Sequence, residues 1–244
     1  MITYRLADLA VGLCHKYPPR PTALLAYKTD EEPRLICKVS EEEINRLTGE
    51  LTALRQSSAP APDPGYSETL ALYLSLAEQL PFYDGFLLHA SFLTIDGEGV
   101  AILAPSGVGK STLTKNLYTL LPGRLRILNG DKPLVRRSEQ GFLGYGTPFC
   151  GKEGWYEKAS AEIKRLVFLR RAESDTVTPM GRAEAFPRLY EAVYLPKDPA
   201  VLSRLPALLS DLLNTVTCYD AALTKGESAA ACVYQALSRK ENPL

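Results

Sequence analysis

With 244 residues, 45% hydrophobic and 23% charged, the chain is long enough for one globular domain with a full core and too apolar for a disordered segment. Its 28 basic and 28 acidic residues cancel, so no net charge calls for nucleic acid or an anionic membrane as partner. No apolar stretch approaches the ~20 residues of a membrane span, and the opening MITYRLADLA lacks the basic-then-apolar pattern of a signal peptide. Five cysteines without a C-x-x-C pair, beside only two histidines, argue against a disulfide framework or structural zinc. The expectation is a cytoplasmic protein forming a single domain over 1–244.

In chain order, alternating apolar positions predict strands over Ile2–Leu13, with short apolar runs at Thr22–Tyr27 and Leu35–Val39. Ser40-Glu41-Glu42-Glu43 is a capping box that opens a helix carrying Ile44, Leu47, Leu51 and Leu54 at helical spacing. Ser57–Gly65, with three prolines, reads as a linker. Residues 1–65 are thus expected as a strand-rich flank packed on a core of 66–244, which resumes with a helix over Tyr66–Leu80. The runs FLLHASFLTI and VAILA are joined by Asp96-Gly97-Glu98-Gly99, a hairpin turn, and are apolar enough to be central strands. A helix over Ser111–Leu121, a strand over Leu125–Leu128 and a meander through Lys132–Arg137, Gly141–Tyr145 and Ile163–Leu169 follow. Helical patterns at Ala200–Leu213 and Glu227–Leu237 close the chain.

The segment Ala104-Pro105-Ser106-Gly107-Val108-Gly109-Lys110-Ser111-Thr112 is a Walker A sequence with Ala in place of the first Gly. Its glycines let backbone amides curl around phosphate oxygens, and the helix that follows points free N–H groups at the same anion. Pro105 to Thr112 are therefore the expected nucleotide-binding residues. Lys110 is expected to reach the β- and γ-phosphates and Ser111 to be a ligand to Mg²⁺. If Gly97 and Glu98 form the hairpin turn, Asp96 pairs with Gly99 and His89 falls opposite Ser106, beside the phosphates. Arg126-Ile127-Leu128-Asn129-Gly130-Asp131 is a short strand ending in an acid, placed to hold Mg²⁺ or to accept a proton.

Further along, Gly144 to Trp155 is glycine-rich, aromatic and bears a lysine, which suits a substrate loop with Gly146, Thr147 and Lys152 as its candidates. Cys150 has no histidine near it in sequence and is not read as a nucleophile. Between Arg124 and Arg171 eleven basic residues face five acidic ones. That excess fits a site for ATP and an acidic peptide, and equally fits solvated strand faces.

The order LLHASFLTIDGEGVAILAPSGVGKSTL followed by ILNGDKPLV resembles the HPr kinase/phosphorylase family and, more distantly, ATP-dependent phosphoenolpyruvate carboxykinase. The resemblance covers roughly residues 85 to 170. With NGDKPLV and YGTPFCGKEGW it looks closest to short bacterial HPr-kinase-like proteins, some of which phosphorylate serine in ribosomally made peptides. It implies an α/β P-loop core with a mixed, partly antiparallel sheet, using ATP and Mg²⁺. It also implies Lys110 and Ser111 at the phosphates and metal, Asp131 as general base or metal-linked carboxylate, and His89 in support. HPr kinases carry two adjacent aspartates at the strand end where this chain has Gly130-Asp131, with Asn129 as a partial substitute. Their N-terminal half is not recognisable here, so HPr is not the expected substrate.

The expected activity is transfer of the γ-phosphoryl of ATP to a hydroxyl of a peptide, protein or small molecule. The alternatives are a nucleotide-binding partner protein without catalysis and a carboxykinase-like enzyme on a small carboxylic acid. A homo-oligomer stays open.

Overall fold

The computed structural model describes residues 1–53 and 62–239. Leu54 and residues 57–61 of the expected linker lie outside them. The strands are β1 (Ile2–Leu6), β2 (Leu9–Leu13), β3 (Leu35–Cys37), β4 (Gly85–Leu87), β5 (Ala90–Ile95), β6 (Glu98–Leu103), β7 (Leu125–Asn129), β8 (Leu134–Ser138), β9 (Gly141–Tyr145), β10 (Ser160–Arg171), β11 (Thr176–Met180) and β12 (Thr217–Leu223). The helices are α1 (Glu41–Ala53), α2 (Pro64–Gln79), α3 (Lys110–Leu120), α4 (Arg182–Glu191), α5 (Pro199–Leu202), α6 (Leu205–Thr215) and α7 (Ser228–Ser238). Among the described residues no helix is long and apolar enough to cross a membrane.

Two compact units emerge, Met1–Tyr83 with Leu195–Leu202, and Asp84–Tyr194 with Ser203–Leu244. The division therefore falls after α2 and not at the proline-rich 57–65, because α2 packs on α1 and β3. Pro64 does not interrupt that helix. It sits in its first turn behind the Asp63 cap, where a missing N–H costs nothing.

In the first unit β1 and β2 form a hairpin around Ala7 and Asp8, both left-handed, and β3 pairs parallel to β2. Thr22–Tyr27 forms a 3-10 helix where an apolar run had suggested extended chain. Its buried residues, Leu24 and Tyr27, are three apart, which is the 3-10 period. The capping box forms, with Ser40 N donating to Glu43 at 2.9 Å and Glu43 N to Ser40 Oγ at 3.2 Å.

Helix α2 buries a polar row that ties down the loop after β2. The Glu68 carboxylate accepts from Lys16 N (2.7 Å) and Tyr17 N (2.9 Å), and Thr69 Oγ1 accepts from Arg20 N. Beside Glu68, His15 is only 5% exposed and its Nδ1 has no hydrogen-bond partner. Burial pushes the His15 imidazole below its ordinary 6.5, against the pull of Glu68. The unfolded chain therefore binds the extra proton first as pH falls. Stability is full above about pH 6.5 and declines below it. Urea midpoints at pH 7.5 and 5.5 are expected to drop towards acid, and His15→Gln should flatten that part of the drop.

The second unit is built on a mixed sheet in the order β7-β5-β6-β10-β12-β11. Strands β6, β10 and β12 run parallel, whereas β5 is antiparallel to β6 and to β7. At its start β10 also pairs with β9, which continues through β8 to β4. The expected mixed, partly antiparallel α/β sheet is thus present. Alternate residues of its strands, Leu93 and Ile95, Val100 and Ile102, Val167 and Leu169, share one core with Leu113 and Leu117 of α3 and Val233 and Leu237 of α7.

The hairpin turn is Asp96-Gly97, both left-handed (φ 52° and 87°), and not Gly97-Glu98. Ile95 pairs with Glu98, so continuing the ladder brings His89 level with Ala104, two residues before the expected Ser106. FLLHASFLTI is also not one strand. It breaks at Leu88-His89, with β4 pairing with β8 and β5 with β6 and β7. The late helical pattern divides likewise into α5 and α6, the second restarting with Pro206 in its first turn.

Candidate functional site

The loop from Ala104 to Gly109 joins β6 to α3 and is held open by Gly107 (φ 79°) and Gly109 (φ 123°). Ala104 keeps a negative φ, so the usual first glycine is not needed there. No side chain caps α3, which leaves its first amides free for an anion. Ser106, Gly107, Gly109, Lys110, Ser111 and Thr112 line a cleft of about 680 Å³ together with His89, Asp131 and Lys152. Val108 instead packs against the core, and Pro105 lines a second cavity.

Lys110 is 8% exposed and folds back over its own loop. Its Nζ donates to the Ala104 carbonyl at 2.8 Å and lies 3.1 Å from His89 Nε2. Burial holds the ammonium below its ordinary range; Asp131 pulls the other way and Lys132 adds to the lowering. His89 Nε2 is in turn 3.3 Å from Asp131 Oδ1, so lysine, imidazole and carboxylate form a continuous chain. Burial alone would raise the Asp131 carboxyl. The hydrogen bond from His89 and the adjacent Lys132 ammonium outweigh it and keep the group well below the usual carboxylate range.

Asn129 seats that aspartate. Its Oδ1 accepts from the amides of Asp131 (2.9 Å) and Lys132 (2.8 Å), and its Nδ2 donates to the Thr147 carbonyl (3.0 Å) and Oγ1 (3.1 Å). Both polar atoms of the Asn129 side chain are thus committed, Oδ1 to the turn at Asp131 and Nδ2 to Thr147, and it does not replace a missing acid. Gly130 explains why that acid is missing. A Cβ there would stand 2.8 Å from the Cys150 carbonyl, and Gly130 N donates to Trp155 O. Gly130→Asp should therefore not rebuild a two-acid strand end. It is expected to destabilise by about 1–3 kcal/mol, the range for overpacking, with no gain in phosphoryl transfer. A thermal midpoint at or above that of the wild type would contradict this.

The 144–155 segment divides. Lys152 reaches the cleft with Gly151 and Glu153. Gly146 and Thr147 are not brought to it. A Cβ on Gly146 would overlap the Glu157 carbonyl, and Thr147 is buried under Asn129. Cys150 lines the cleft, but burial pushes its thiol up, the reverse of an activated nucleophile. All five cysteines are free thiols.

Five arginines of the basic excess are paired with acids and do not line the cleft. Arg124 pairs with Asp96, Arg126 with Glu157, Arg137 with Asp211, Arg165 with Glu98 and Arg170 with Asp220. The residues missed from sequence are Lys132, which pairs with Asp131, and Arg171, whose guanidinium lies 2.6 Å from where a Cβ of Gly109 would be. Lys132 was visible as the neighbour of Asp131. Nothing local marked Arg171, which parallel pairing of β10 with β6 brings to the loop.

A similarity to the HPr(Ser) kinase/phosphatase of Coxiella burnetii covers 62% of this chain and 95% of that one, at 12% identity and a TM-score of 0.35. At that level it bears on neither fold nor activity. No curated protein matches. The family model described as SynChlorMet cassette protein ScmC matches residues 69–195, a span that contains His89, the loop to Thr112, Asp131 and Lys152. That span is just over half of the 244 residues, and the chain belongs to the ScmC family.

Proposed function

We propose that this protein is a cytoplasmic, HPr-kinase-like phosphotransferase that moves the γ-phosphoryl of ATP to a hydroxyl. The observation that carries this reading is the chain of Lys110, His89 and Asp131 at the mouth of a glycine-opened loop before an uncapped helix. A loop of this kind binds phosphate oxygens through backbone amides, and a cation at its edge answers the terminal phosphates.

Mg²⁺ fits the donors present. The Ser111 hydroxyl and the Asp131 carboxylate, hard oxygen donors that line one cleft, would hold it. Such an ion would supply neutralisation of the triphosphate's charge. In the reaction the acceptor oxygen forms a bond to the γ-phosphorus, the bond to the β,γ-bridging oxygen breaks, and ADP leaves. The hydroxyl proton passes to Asp131. A carboxylate with lowered proton affinity is a weak base, but the loose transition state of phosphoryl transfer asks it mainly to orient the hydroxyl and take the proton late. His89 and Lys132 hold it in place for that task. Lys152, which lines the same cleft, answers charge on the transferring group in this reading.

Intact-mass measurement of a serine peptide incubated with Mg²⁺-ATP tests this, a gain of about 80 Da being one phosphoryl group. ATP binding without any such gain on peptide, protein or small alcohol would favour a nucleotide-binding protein without catalysis.

A further inference from the structure

A second cavity of about 450 Å³ adjoins the phosphate cleft, within the size range of small-ligand sites. His89 lines both. The second cavity opens at the carboxyl ends of the parallel strands β6 and β10, where α/β sheets bind ligands. Leu103, Pro105, Phe168 and Ala192 give it apolar walls.

Its two arginines do not make it an anion site. Arg170 Nε donates to Asp220 at 3.0 Å and Arg188 Nη1 to the same carboxylate at 2.6 Å. Arg188 also reaches Glu184, and Glu191 adds a further negative charge to the lining. A second acid brought here would find its cations already answered.

His89 itself is fixed from this side. Its backbone N donates to the Ala192 carbonyl at 2.7 Å, at the end of α4, and Leu88 bridges to Val193. The imidazole therefore stands between the two cavities, with Nε2 3.1 Å from Lys110 Nζ and 3.3 Å from Asp131 Oδ1.

We infer that this cavity receives the phosphoryl acceptor, and that the acceptor is a hydroxyl compound with an apolar group beside the reacting hydroxyl rather than an acidic one. The inference rests on the phosphotransferase reading above. Such a group fills the space between Phe168 and Ala192 while the hydroxyl extends past His89 to the γ-phosphate. The acidic peptide suggested by the basic excess of 124–171 is replaced by this class, since the arginines of this cavity, Arg170 and Arg188, are spent on ion pairs.

The test uses the full chain with Mg²⁺ and a non-hydrolysable ATP analogue, and three peptides identical except that leucine, aspartate or glycine follows a single serine. N-acetyl-leucinol, a free alcohol with the same isobutyl group, is the fourth probe. Binding is read by calorimetry and by chemical shifts of the His89 ring, and transfer is read separately with ATP by intact mass. The leucine peptide is expected to bind about tenfold more tightly than the aspartate or glycine peptide, the scale of burying one aliphatic side chain. Ala192→Trp, which fills the cavity, should remove that preference. Ala192→Leu is a smaller step in the same direction should the tryptophan variant not fold.

Equal binding of the three peptides, preference for aspartate, a preference untouched in folded Ala192 variants, or no binding of any probe would overturn the inference. Selective binding of the leucine peptide without transfer would remove the phosphotransferase reading and leave the apolar ligand site standing. Equal binding of N-acetyl-leucinol would identify a free alcohol, and not a peptide, as the source of the same chemistry.

Discussion

Asp131→Asn should leave ATP binding within about a few-fold and cut phosphoryl transfer by roughly 100-fold or more, the scale for losing a general base. The substitution preserves size and hydrogen-bonding shape, and the Asp131 backbone stays held by Asn129. What it removes is the anion that His89 and Lys132 surround. His89→Ala should cost less, because the imidazole acts through the carboxylate it touches. The double variant should fall short of the product of the two single losses, as expected for groups that work as a unit. Single-turnover transfer from labelled ATP reads all three. Full activity in Asp131→Asn rules out its role, whereas strictly multiplicative losses remove only the coupling to His89.

Lys110→Ala should weaken nucleotide binding by roughly ten- to a hundredfold, the worth of one or two hydrogen bonds to a charged group. The side chain is buried, so this is not the removal of a loose surface charge. Its departure frees the Ala104 carbonyl and one face of His89. Lys110→Met keeps most of the apolar stem and separates the loss of the ammonium from the loss of packing. Both variants should retain the circular dichroism of the parent. Unchanged calorimetric affinity for ATP in folded Lys110→Ala would sink the assignment of the loop.

The parts of this site written locally were legible in the sequence. The loop glycines, Lys110 and the strand-end Asp131 are each specified by neighbours within a few residues, and hairpin pairing brought His89 to the same edge. The register was two residues off because Asp96-Gly97, a favoured left-handed pair for a two-residue turn, starts the turn one residue earlier than Gly97-Glu98. Long-range packing was not legible. That Gly130 faces the Cys150 carbonyl, or that Thr147 lies beneath Asn129, depends on where the chain returns after the meander of β8 and β9. In the first unit, the 3-10 segment misled because a short apolar run does not announce its period.

Gly151 is left-handed (φ 78°), and a Cβ on it would stand 2.9 Å from Cβ of Asp131. Any other residue is opposed twice there, once by its own backbone and once by the aspartate it would displace. Lys152 and Glu153 line the same cleft without that restriction. Divergence is thereby partitioned: a descendant chain can rewrite 152 and 153 without disturbing the backbone, while 130 and 151 stay frozen because they form the socket of the aspartate.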